Sequence, residues 1–287
     1  MVKTIGNPLS WAAGAVIGSG RTAGELAASL GGEVTHPPET RPLTRSDIRI
    51  ALRKGLDDFT ARRSDVMFLV AIYPVIGICL AVAAFDMALL PLLFPLAAGF
   101  ALLGPVAAIG LYEMSRQREA GAKSGWGAAF SVLRTHNIGP VLGLGLYLLA
   151  LFVAWMFAAH LIYTITLGPQ PPASAGAFLQ DVFMTGAGWS MMILGVGVGF
   201  VFACVVLVIS LISFPMLIDR QVGLPVAVMT SVQVARQSPV TVAGWGLIVA
   251  VAMTLGSLPL FLGLIVVLPV LGHATWHLYR GAVPREN

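Results

Sequence analysis

Apolar residues run through this chain in blocks long enough to cross a bilayer, separated by short polar breaks. The blocks cover about Val66 to Phe85, Met87 to Leu111, Ile138 to Leu167, Met191 to Ile218, Val240 to Leu258 and Pro259 to Leu278. A helix rises about 1.5 Å per residue, so roughly 20 apolar residues cross a hydrocarbon core about 30 Å thick. The pattern therefore predicts six transmembrane helices. Asp86 marks the turn between the first two, and Gly256-Ser257-Leu258-Pro259 the turn between the last two.

The first 64 residues are the most polar part. Near the start, Lys3 precedes an apolar run, Trp11 to Ile17, that Gly and Ser interrupt and that Arg21 and Glu25 follow. This reads as an interfacial segment rather than a cleaved leader. Thr35 to Pro42 carries three prolines and cannot be regular helix, so residues 1–43 are expected to be a flexible cytoplasmic segment. From Thr44 the pattern changes. Thr44 and Asp47 have the spacing of a capping box, and Ile48, Leu52, Leu56 and Phe59 recur at helical spacing, which predicts an amphipathic helix on the membrane surface.

Three segments share one layout of amphipathic helix, basic residue, short polar break and span pair. They begin at Ile50 to Arg63, Trp126 to Arg134 and Val226 to Arg236. Each unit holds two spans, so successive units keep the same orientation. The expected architecture is an all-α polytopic membrane bundle at 44–282, built of three parallel units at about 44–113, 114–218 and 219–282, followed by a short cytoplasmic tail at 283–287. Between spans three and four, Pro169, Pro171 and Pro172 precede a second expected interfacial helix, Ala175 to Thr185. That connection is far too short for an enzyme domain.

Composition supports this class: 57% of the 287 residues are hydrophobic and 10% charged, against about 25% charged in a soluble domain. The distribution of charge then sets the orientation. Of the 17 basic residues, nine precede the first span, four (Arg116, Arg118, Lys123, Arg134) lie between spans two and three, two (Arg220, Arg236) between spans four and five, and two (Arg280, Arg285) end the chain. The three opposite loops have none. Cytoplasmic loops carry the excess of Lys and Arg, so both termini are expected in the cytoplasm, in a bacterial inner membrane. The net charge of +4 follows from topology, and no nucleic-acid partner is expected. Cys79 and Cys204 fall inside apolar runs and read as buried small hydrophobes.

Several stretches carry a resemblance to a known family: Ser213-Phe214-Pro215-Met216-Leu217-Ile218-Asp219-Arg220, Ser231-Val232, Trp245, and above all Gly272-His273-Ala274-Thr275-Trp276-His277-Leu278-Tyr279-Arg280. Together they resemble the prokaryotic integral membrane proteins grouped as a domain of unknown function, DUF2189, over roughly residues 45 to 282. The resemblance implies fold and location and carries no activity. The label of cytochrome oxidase subunit one attached to some relatives does not suit a chain with five histidines.

Chemistry is sparse. No Asp, Glu, Lys or Arg lies near the middle of a span, whereas ion-coupled transporters usually need one. Pro74, Pro91, Pro95, Pro105, Pro215 and Pro269 either kink helices or expose carbonyls as ligands. His273 and His277 share a helix face and have the spacing of a metal-ligand pair, with His136, Glu113 and Asp219 as candidate third ligands. Against that stands an interfacial anchor, in which the histidines join Trp276, Tyr279 and Arg280 where the last helix leaves the bilayer. His160 is expected to be hydrogen-bonded within the bundle. Gly143-Leu144-Gly145 and Gly195-Val196-Gly197-Val198-Gly199 read as close-packing positions.

No catalytic or cofactor-binding residue is expected. The function these features favour is a non-enzymatic accessory, assembly or scaffold component that binds lipid and other integral membrane proteins. The rivals are a transporter or channel for a small or amphipathic solute, and a metal- or haem-binding protein using His273 and His277.

Overall fold

The computed structural model describes residues 37–61, 75, 79, 82, 89–102, 104–122, 138–259 and 261–285. The expected first span, the amphipathic segment at 126–134, the interfacial run at 11–17 and His136 lie outside them, apart from isolated helical positions at Val75, Cys79 and Val82. Among the described residues the chain is all-helical, with no strand. The helices are α1 (Arg45–Ala61), α2 (Leu93–Leu102), α3 (Gly104–Ala107), α4 (Ile109–Glu119), α5 (Ile138–Thr166), α6 (Ala175–Met184), α7 (Gly186–Asp219), α8 (Leu224–Gln237), α9 (Pro239–Ser257) and α10 (Leu264–Ala282). A 3-10 turn at Leu90–Leu92 precedes α2.

Among the described residues, three helices are long and apolar enough to cross a membrane: α5, α7 and α9. α7 is the longest of these three, 34 residues, or about 50 Å. It begins five residues earlier than the hydropathy block because Thr185 caps it, its hydroxyl accepting from the Gly188 N–H at 3.0 Å. The expected second span is delivered in pieces, the turn at Leu90–Leu92 followed by α2, α3 and α4. Pro91, Pro95 and Pro105 each fall in the first turn of a piece, where a missing N–H costs least. The last hairpin also turns later than the sequence suggests. Pro259 lies in the turn, Phe261 adopts a left-handed φ of 64°, and α10 starts at Leu264 and ends at Ala282. Gly256 and Gly263 let the two legs touch: a Cβ on Gly263 would sit 2.8 Å from the Gly256 Cα.

α6 closes one end of the bundle. Ser174 caps it by accepting from the Ala177 N–H at 3.1 Å, Phe178 packs edge-on against Tyr163 of α5, and Val182 is buried. In the middle of the bundle, buried Trp155 of α5 donates to the Pro95 carbonyl at 2.9 Å. Its ring lies against Gly199, where an added Cβ would meet it at 2.9 Å. Gly199 therefore behaves as a packing glycine. Gly195 and Gly197 do not, since a Cβ on either meets nothing within 4 Å.

At the opposite end α7 changes character. Ser210 to Ile218 are buried without a break, whereas Ile193, Val196, Phe200 and Val201 are exposed. α8 covers part of this buried third. Ser231 donates to the Val208 carbonyl at 2.6 Å and accepts from the Ile212 N–H at 3.2 Å, and Ser213 donates to the Ala227 carbonyl at 3.1 Å. Among the described residues α1 and α10 form the most extensive helix pair, and α10 also packs on α4. Gly55 is the reason α1 and α10 approach so closely. A Cβ there would stand 2.6 Å from the Ala274 nitrogen and 2.7 Å from the Val270 carbonyl oxygen.

The last residues of the segment expected to be flexible are hydrogen-bonded to the bundle. The Arg41 N–H donates to the Ala282 carbonyl at 2.9 Å, and buried Leu43 bonds Ser238 and Thr241 through its backbone. Cys79 is exposed and Cys204 half-buried, so neither is the enclosed residue its surroundings in sequence suggest. His160 likewise faces outward from α5.

Candidate functional site

The buried third of α7 and the C-terminal halves of α4 and α10 meet α1 in a layer that holds most of the paired charges. α1 brings Asp58 into it. The helix buries Ile48, Ala51, Gly55, Asp58 and Phe59, an i, i+3, i+7, i+10, i+11 stripe, while Leu56 stays 49% exposed. The stripe is turned by about one residue from the one expected, and that turn carries a carboxylate inward.

Asp58 joins three helices. Its Oδ1 pairs with Arg118 of α4 at 2.7 Å. Its Oδ2 accepts from Ser115 of α4 at 2.7 Å and from Nε2 of His277 of α10 at 2.9 Å. Burial opposes ionisation of Asp58, but the hydrogen bonds from His277 and Ser115 hold its carboxyl below the usual carboxylate range. Ser115 Oγ also lies 2.8 Å from Nδ1 of His273. The hydroxyl has one proton, and the carboxylate can only accept, so Nδ1 of His273 is the donor to Ser115. Nε2 of His273 is then a bare acceptor, buried without a hydrogen-bond partner among the described residues.

This order of contacts bears on chemistry. In an activated serine, an imidazole stands between the hydroxyl and the carboxylate. Here the hydroxyl stands between the imidazole and the carboxylate, and Ser115 is 1% exposed. The arrangement holds three helices together and does not prepare a nucleophile.

A second knot lies beside it. Asp219, at the end of α7, accepts from the Tyr279 hydroxyl at 2.7 Å and from two nitrogens of Arg280 at 2.8 and 3.0 Å. Arg280 also donates to Glu119 of α4 at 2.9 Å, and Trp276 donates to the same carboxylate at 3.2 Å. The Arg280 guanidinium stacks over Trp276 and Tyr279, 5.1 and 5.7 Å from the ring centroids. Burial opposes ionisation of Glu119, but Arg280 and Trp276 hold its carboxyl below the usual range. Glu113, 1% exposed, is held by Arg116 and Gln117 at 2.7 Å.

His273 and His277 are thus brought to one cluster, with Asp58 and Ser115 as their partners. Of the candidate third ligands, Glu113 bonds Arg116, Asp219 bonds Tyr279 and Arg280, and His136 is not among the described residues. No group of three His, Cys, Asp or Glu among the described residues is placed to hold a metal ion. Trp276 and Tyr279 are fully buried, and with Arg280 they reach protein carboxylates. The sequence reading missed Asp58, Ser115 and Glu119. Asp58 was findable, because the stripe Ile48, Ala51, Gly55 continues onto it. Ser115 and Glu119 have no comparable signal, since α4 mixes polar and apolar residues on every side.

No match to the chain is found among curated proteins or among solved structures. Residues 92–219, which run from α2 to the end of α7, match the family described as "Predicted integral membrane protein (DUF2189)"; the resemblance carried by the sequence is borne out over that stretch, and the chain is an integral membrane protein.

Proposed function

We propose that the chain is a non-enzymatic scaffold or assembly component of the bacterial inner membrane, with six spans, both termini in the cytoplasm, and helix faces that bind other membrane proteins. One observation carries this reading. Only 6% of the most apolar window of α7 is buried inside the molecule, so the longest helix turns Ile193, Val196, Phe200 and Val201 outward. Large apolar side chains in that number on one helix are surface for lipid or for another helix. Open glycines at 195 and 197 on the same stretch leave room for a close neighbour.

The polar layer supports the orientation. Arg116, Arg118, Arg280 and Arg285 all pair with carboxylates there, at the opposite end of α7 from α6, as cytoplasmic basic loops require. The order α8, α9, α10 has the layout of one amphipathic helix plus hairpin, which supports the third of the three parallel units.

Photo-crosslinking residues placed at Val196 and Phe200 in the full chain, activated in intact membranes, test the proposal. Discrete protein adducts from these sites, and none from buried Leu148, are expected. Adducts with lipid alone at both outward positions would contradict it.

A further inference from the structure

α1 has a second face. With Ile48, Ala51, Gly55, Asp58 and Phe59 turned toward α10 and its neighbours, the outward side carries Arg45, Arg49 and Arg53 at successive i+4 positions, with Lys54 beside them; all four are exposed. They differ from the other cations of this layer. Arg41 pairs with Asp47, Arg116 with Glu113, Arg118 with Asp58, and Arg280 with Asp219 and Glu119. The four on α1 have no ion-pair partner among the described residues. Asp57 is the one acidic residue exposed on α1, so the face is strongly positive. It is also partly apolar: Ile50 and Leu56, 51% and 49% exposed, interleave with the cations.

We propose that this face is a docking surface for anionic phospholipid, with Arg45, Arg49, Arg53 and Lys54 against headgroup phosphates and Ile50 and Leu56 among the upper acyl chains. Two observations select lipid over a soluble acidic partner or nucleic acid. Interleaved cations and large aliphatic side chains match the chemistry of a bilayer interface, where phosphate and hydrocarbon lie side by side. A purely ionic partner would leave Ile50 and Leu56 in water. The helix is also tethered: four residues separate Ala61 from the first expected span at Val66, a link of at most about 18 Å. Two of those four are Arg62 and Arg63, which extend the basic run to the membrane. Juxtamembrane basic segments of this kind are attracted to an anionic leaflet, and the attraction falls off within a Debye length.

The assignment rests on the membrane-spanning reading above, and the test separates the two. The full chain is reconstituted into nanodiscs of phosphatidylcholine mixed with phosphatidylglycerol, then released, and the lipids that stay bound are counted by native mass spectrometry. Three forms are compared: the natural chain, the fourfold variant R45Q/R49Q/R53Q/K54Q, and the charge-preserving R45K/R49K/R53K. All substituted side chains are exposed, and circular dichroism in the same discs verifies the fold.

The natural chain is expected to retain phosphatidylglycerol in preference to phosphatidylcholine. The fourfold Gln variant should retain about tenfold less or lower still, and the Lys variant should match the natural chain. Equal retention by the Gln variant overturns the proposal while leaving the spanning reading intact. Loss in the Lys variant also overturns it, because a diffuse headgroup layer reads charge and does not need a guanidinium fork. A chain that never enters the discs would sink the spanning reading, and this surface with it.

Discussion

Asp47 shows how much one carboxylate does at the entry to α1. It accepts from the Thr44 N–H at 2.8 Å, which is one half of the capping box visible in the sequence. The other half is replaced: the Thr44 hydroxyl donates to Asp47 at 2.6 Å, and Arg41 adds a bond at 2.7 Å. Burial raises the Asp47 carboxyl, but the bonds from Arg41 and Thr44 outweigh it and hold the group at about 2, against 3.8 unperturbed. A depressed carboxylate contributes stability that is complete above its unfolded value and is lost as pH falls through its folded value. The start of α1 should therefore hold above about pH 4 and loosen between pH 4 and 2. Hydrogen exchange at the amides of residues 45–48 measures this, and protection that is flat across that window would contradict it. The histidine pair gives a second prediction at this scale. Because Nδ1 of His273 and Nε2 of His277 are engaged by Ser115 and Asp58, the variant H273Q/H277Q should leave the metal content of the purified protein unchanged. It should lower thermal stability by about 1–3 kcal/mol through the groups left unsatisfied. Stoichiometric metal lost in the variant would overturn this account of the pair.

Among the elements, the close pairing of α1 with α10 depends on Gly55 having no side chain. The substitution Gly55→Ala must push apart two backbones, since its Cβ would meet the Ala274 nitrogen at 2.6 Å, and a cost of about 1–3 kcal/mol is expected. Gly195→Ala is the matched control. Its Cβ meets nothing within 4 Å, and alanine favours helix by up to about 1 kcal/mol, so stability should be unchanged or slightly raised. Thermal unfolding in the same detergent compares the two, and equal melting temperatures would refute the contact. The sequence made the long elements legible. Unbroken apolar runs place α5 and α9 within a residue or two of where they lie, and the amphipathic segment expected at Val226 to Arg236 falls inside α8. It was less informative where backbone detail decides. Prolines divide the second block into short helices, Phe261 moves the last turn, and the α1 stripe shifts because small Ala51 and Gly55, not the larger Leu52 and Leu56, fit against α10.

For the whole molecule, two ends of different chemistry are the organising feature. One end is closed by α6 and its capped turn. The other gathers Asp58, Glu113, Glu119 and Asp219 with Arg116, Arg118, Arg280 and Arg285 around the buried third of α7. The segregation of basic residues was plain in the sequence. That they would be paired off into a compact layer was not, because every pair but Arg116 with Glu113 joins positions at least 60 residues apart in the chain. If these two ends lie on opposite sides of a membrane, reporter fusions decide the account most directly. Fusions placed after Arg118 and after Arg285 should report cytoplasm, and a fusion near Gln170 should report periplasm. A periplasmic signal at residue 285, or the same side for residues 118 and 170, would contradict it.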